Sequence, residues 1–111
     1  MTSMDIRTVL DARRFSPEKM QKVNLFATTD LFLDVYCFEP GQNQKVHVHE
    51  KSTKYYIVLE GHARFEVGGE TKSLGPGQAV LARAGEPHGV ENTTDDRLVL
   101  LVGMAPPPEH A

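Results

Sequence analysis

Between Gly41 and Gly61 the chain reads GQNQKVHVHEKSTKYYIVLEG, and two parts of this stretch decide the rest. Tyr55–Glu60 (YYIVLE) is dense in branched and aromatic side chains, the composition of a strand inside a sheet. Just upstream, His47-Val48-His49 sets two imidazoles two residues apart. Alternate residues of a strand point to one face, so both rings would project into the same space. Two ring nitrogens on one face begin a metal site; an exposed pair on a polar strand face is the other reading of His-x-His. His88, in Gly85-Glu86-Pro87-His88, enters a strand from a turn and offers a third ligand from a distant segment.

Outward from this stretch the same strand-and-turn punctuation continues. Asp30–Glu39 (DLFLDVYCFE) and Leu98–Val102 (LVLLV) are further apolar runs. Turn chemistry recurs at Thr29-Asp30, Pro40-Gly41, Gly68-Gly69, Gly75-Pro76-Gly77, Ala84-Gly85 and Thr94-Asp95-Asp96. His62–Val67, Gly68-Gly69 and Glu70–Leu74 predict a hairpin, with Ala63, Phe65 and Val67 on one face. Many short strands with regular turns indicate a sandwich or a barrel. Before them, Ser16-Pro17-Glu18 carries helix-start signals, so at most one short helical turn is expected at the N-terminal end. After them, the three prolines of residues 105–111 predict an extended tail.

Composition bounds the function. The chain has 111 residues, 40% of them hydrophobic and 24% charged, which is one ordinary domain. A formal net charge of −3 argues against nucleic acid as the main partner. No apolar run approaches the roughly 20 residues that span a bilayer, and no signal peptide opens the chain, so a soluble cytoplasmic protein without membrane contact is expected. A single Cys37 excludes an intrachain disulfide and a multi-cysteine metal site, leaving the histidines as the soft ligand donors. Cys37 reads as a buried apolar residue, His62 as a solvated strand residue, and His110 as part of the tail.

The order of these residues resembles the cupins, small double-stranded β-helix or jelly-roll proteins. The first cupin motif corresponds to Gly41, His47-Val48-His49, Lys54 and Gly61; the second to Gly77, Arg83-Ala84-Gly85, His88 and Asn92. The compact spacing between motifs is that of small stand-alone bacterial cupins, some loosely labelled antibiotic-synthesis proteins. The resemblance implies an all-β jelly-roll fold and one cupin domain over residues 1–111, with the core barrel at about 22–104. It also implies a divalent transition metal on His47, His49 and His88. Three-histidine centres occur in some cupin-like oxygenases, which makes iron(II) the implied cofactor; zinc, nickel, manganese or copper are the alternatives.

Two positions depart from the family pattern. Arg83 replaces a motif proline and puts a cation near the expected barrel mouth. Lys54 stands where the family usually has a metal-binding glutamate, and an ammonium has no lone pair to donate. A dication and a monocation about 4 Å apart at an effective dielectric of about 20 repel by roughly 8 kcal/mol. Lys54 must therefore swing away, pair with Glu50 or Glu60, lose its proton, or share the barrel with no metal. Tyr56 has the strand parity of Lys54 and is a candidate proton donor, with simple aromatic packing as the alternative. Gln44 has the wrong parity relative to His47 unless the strand bulges. Phe38, Phe65 and Met104 are candidate pocket walls.

Three functions fit these features. The first is a metal-dependent oxygenase or isomerase acting on a small oxygenated or anionic metabolite, steered by Lys54, Tyr56 or Arg83. The second is a non-catalytic cupin that binds a metabolite or a metal. The third is an interaction module. Both faces of Tyr55–Leu59 and of Leu98–Val102 are apolar, so a homodimer is expected in every case.

Overall fold

The computed structural model describes residues 3–108. Nine strands follow in chain order: β1 (Gln21–Ala27), β2 (Phe32–Phe38), β3 (Asn43–His47), β4 (Thr53–Glu60), β5 (Ala63–Val67), β6 (Glu70–Leu74), β7 (Ala79–Ala82), β8 (His88–Glu91) and β9 (Leu98–Ala105). They form two antiparallel sheets, one five-stranded in the order β1-β2-β9-β4-β7 and one four-stranded in the order β3-β8-β5-β6. This is the all-β jelly-roll expected from the motif order. Among the described residues no helix is long and apolar enough to cross a membrane.

The alternating sequence explains the layering. On β4 the even positions Lys54, Tyr56 and Val58 are buried, while Thr53 and Tyr55 face out. Tyr36, Phe38, Val58, Phe65, Leu98, Leu100 and Val102 meet Tyr56 between the sheets as one apolar core. The β5–β6 hairpin forms as predicted, pairing Val67 with Glu70 across Gly68 and Gly69, whose φ angles of 59° and 85° suit glycine. Phe65 and Ala63 point inward from it.

Three expectations need adjustment. The short helical turn exists, but at Val9–Ala12 instead of beside Ser16-Pro17-Glu18, where the Ser16 hydroxyl accepts one bond from the Glu18 N–H without starting a helix. The sheet runs one residue into the predicted tail, because Ala105 still pairs with Thr53. His110 lies outside the described residues. Finally, the outer face of the five-stranded sheet is partly covered: Val9, Ala12 and Phe15 pack on Leu25, Val35, Cys37 and Val99. The Arg13–Glu60 ion pair at 2.9 Å helps hold that segment in place. Cys37 is therefore a core residue, as its neighbours in sequence suggested.

Candidate metal centre

His47 closes β3 and His88 opens β8, and the two residues are direct cross-strand partners. Their rings lie 4.3 Å apart between centroids; His49, two residues on, has its ring 4.9 Å from His47 and 5.4 Å from His88. One ligand nitrogen from each of the three histidines falls within 4.8 Å of the other two. That spacing suits a single ion bridged by all three imidazoles.

The backbone fixes which nitrogen faces inward. His47 Nδ1 lies 2.7 Å from the Lys45 carbonyl and His88 Nδ1 lies 2.9 Å from the Glu86 carbonyl. A carbonyl only accepts, so each Nδ1 carries the proton and each Nε2 keeps its lone pair. This is the outer hydrogen bond that orients a metal-ligating histidine. His88 is 1% exposed, and its Nε2 is a buried polar atom with no hydrogen-bond partner among the described residues. Leaving such an atom unpaired costs about 1–3 kcal/mol, so its occurrence calls for a reason, and a metal ion supplies one. Burial pushes the His88 imidazole down to about 4 and lowers those of His47 and His49 too. Burial thus favours the neutral imidazole, the form that ligates, at all three. The donor set fits a borderline transition metal.

Beside the histidines opens a cavity of about 670 Å³, bounded by His47, His49, Lys54, Gln44, Asp34 and Lys22 among others. Lys54 is 1% exposed and pairs with neither Glu50 nor Glu60; Glu60 is held by Arg13. Its Nζ donates to Gln44 Oε1 at 3.3 Å and sits over the rings of Tyr36 and Tyr56, 5.3 and 5.0 Å from their centroids. Burial, reinforced by Lys22 and opposed by Asp34, brings its amine down to about 7. Of the four fates open to Lys54, loss of the proton is the one its surroundings promote.

Gln44 has the wrong parity to join His47 unless the strand bulges, and it does. The β3–β8 register shifts between Gln44 and His47, and this bulge turns both side chains inward. Gly89 makes the bulge possible: a Cβ there would stand 2.8 Å from the Val46 nitrogen. Gln44 Oε1 then accepts from Lys54 and, at 3.1 Å, from the Tyr56 hydroxyl. The Gly after His88 was the available sequence signal for this bulge.

The remaining candidates separate clearly. Tyr56 is fully buried behind Gln44, with its ring 6.3 Å from that of His88. Met104 borders the cavity, whereas Phe38 and Phe65 belong to the core. Arg83 is exposed and faces Glu86, 3.8 Å away, outside the cavity lining. Pro107 and Pro108, from the predicted tail, border the cavity instead. Asn92 is buried and ties its loop together, donating to the Asp96 carbonyl and accepting from the Thr94 N–H.

Comparison with known proteins agrees with this architecture. Residues 34–104 match the family described as Cupin domain. A crystal structure of the TT1209 protein from Thermus thermophilus superposes with a TM-score of 0.92 at 46% identity, covering 95% of this chain and 100% of that one. Among curated proteins, the oxalate-binding protein of Thermotoga maritima is 31% identical over 91 residues, which is 81% of this chain and 69% of that protein. The mannose-1-phosphate guanylyltransferase ManC of Salmonella typhimurium is 32% identical over 54 residues, 49% of this chain. The chain spans only 11% of the length of that enzyme.

Proposed function

This chain belongs to the cupin family, and from that premise we propose that it binds one divalent transition metal, iron(II) foremost, on His47, His49 and His88 and a small oxygenated anion in the adjoining cavity. The observation that carries the reading is the buried, unpartnered Nε2 of His88 beside two further imidazoles. A three-nitrogen ion keeps its double charge and open coordination positions, and would polarise a bidentate oxygen ligand such as a 2-oxo acid, an enolate or a catecholate. The chain's own residues supply the rest. The carbonyls of Lys45 and Glu86 hold the rings in the ligating tautomer. Lys22 offers positive charge to an anion in the cavity, the Lys54 amine offers it a hydrogen-bond donor, and Met104 gives it an apolar wall.

Oxygenase or isomerase chemistry is the catalytic form of this proposal. Metabolite binding without turnover is its second form, and two observations favour it. Lys54 fills the place of the metal-binding glutamate usual in the family, and the oxalate-binding protein is a relative over most of the chain. Calorimetric titration with oxalate and pyruvate, with and without iron(II) or manganese(II), tests the shared claim. Binding should require the metal and weaken at least about tenfold in His88→Ala, a loss of about 1.4 kcal/mol or more. Equal binding with and without metal would refute it. Oxygen uptake with dicarbonyl, catechol or thiol substrates then separates turnover from binding alone.

Self-association belongs to the same proposal. The N-terminal segment leaves Tyr55 and Leu81 on the outer face of the five-stranded sheet 37% and 42% exposed. A second copy stacked there would form a homodimer, and a monomeric mass by light scattering at micromolar concentration would count against it.

A further inference from the structure

Among the described residues Lys54 is the one buried lysine, and its surroundings do not neutralise it. No carboxylate lies within ion-pair distance of its amine among the described residues. Its hydrogen-bond partner, Gln44 Oε1, is neutral. The Lys22 ammonium sits against the same Tyr36 ring, 5.4 Å from its centroid, so two amines flank one aromatic ring at one cavity. A lysine desolvated among aromatic rings and set beside a second cation is shifted towards its neutral, nucleophilic form. The facing groups support this balance: Lys22 disfavours the charged form, while Asp34, itself pushed up by burial and bonded to Asn24, favours it only as the smallest of the three influences.

We propose that Lys54 is a covalent capture site for small carbonyl compounds, its amine condensing with the carbonyl carbon of a 2-oxo acid in the cavity while Lys22 holds the carboxylate. The nitrogen lone pair forms the N–C bond as the carbonyl π pair moves to oxygen. That oxygen then leaves as water with the two hydrogens of the amine, and a neutral imine remains. Amine plus carbonyl compound equals imine plus water, so no oxidant or reductant enters. The inference shares the ligand cavity with the proposed function but not its metal.

The folded 111-residue chain incubated near pH 7 with glyoxylate and sodium cyanoborohydride, in the presence of a chelator, tests it by peptide mapping. The reduced adduct should form on Lys54 at least about tenfold faster than on Lys19, Lys22, Lys45, Lys51 or Lys72, because an ordinary lysine is almost wholly protonated there. In Lys54→Met that adduct should vanish while the slow surface labelling stays. Labelling of the exposed lysines with Lys54 unmodified in the folded wild type would overturn the inference, and this comparison needs no variant to fold. An adduct on Lys54 in protein that fails to bind metal would uphold the inference and refute the metal reading. Metal binding with labelling confined to the surface would do the reverse.

Discussion

Lys54→Met should make the metal-free protein more stable at neutral pH, although it removes a hydrogen bond. The folded amine is brought from 10.5 to about 7, so the folded state resists a proton that the unfolded chain takes up readily. The sign follows directly: the unfolded state binds more protons than the folded one between about pH 7 and 10.5, so stability falls as pH falls through that window. At pH 7 the handicap reaches about 4 kcal/mol, and at pH 10 it shrinks to about 1 kcal/mol. Methionine has a similar shape and no charge. The variant forfeits the Gln44 bond, about 1 kcal/mol, and, where the amine is charged, its attraction to the Tyr36 and Tyr56 rings, about 1 kcal/mol more. A net gain of about 2 kcal/mol remains at pH 7, which for a domain of this size raises Tm by about 8 °C or more. Thermal unfolding of both proteins after chelation, at pH 7 and pH 10, reads this out. The gain should disappear or reverse at pH 10. A variant no more stable than wild type at pH 7, or a gain of equal size at both pH values, would refute the reasoning.

Further outcomes follow from the same geometry. Lys54→Glu should retain metal at least about tenfold more tightly through dialysis, since it puts an anionic ligand where the wild type has an amine bonded to Gln44; unchanged retention would mean that Lys54 never faced the ion. Gln44→Leu should cost about 1–3 kcal/mol in urea unfolding, because both the Lys54 amine and the Tyr56 hydroxyl lose their acceptor. In chelated protein, stability should fall by about 3 kcal/mol between about pH 6.5 and 4, since the unfolded chain binds a proton there that buried His88 refuses; His88→Ala should flatten that slope.

The two halves of the account differ in how legible they were in the sequence. Strand composition and turn glycines were enough for the sheets, because the inside-outside alternation of Lys54, Tyr56 and Val58 or of Ala63 and Phe65 is a local property. The histidine cluster was also legible, since His47 and His49 share strand parity and His88 stands in motif register. Gln44 shares a face with His47 only if the strand bulges, which parity leaves open; the register shift over Gly89, against the Val46 backbone, supplies that bulge. Arg83 looked like a mouth residue in the motif, yet its loop points it at Glu86. Pro107 and Pro108 reached the cavity through the return path of the chain, which no local pattern encodes. The N-terminal cover had the same character: Val9, Ala12 and Phe15 lack a sustained period and gain meaning only against Val35 and Val99.

His47, His49 and His88 place three imidazole nitrogens within reach of one ion. Metal analysis of the purified chain, expressed with added iron and again with added zinc, followed by titration of the chelated protein, measures it most directly. The account predicts about one equivalent of metal per chain for the wild type, with loss of that site in His88→Ala while the fold is kept. Less than about a tenth of an equivalent in the wild type, with no saturable uptake and no change in His88→Ala, would contradict it.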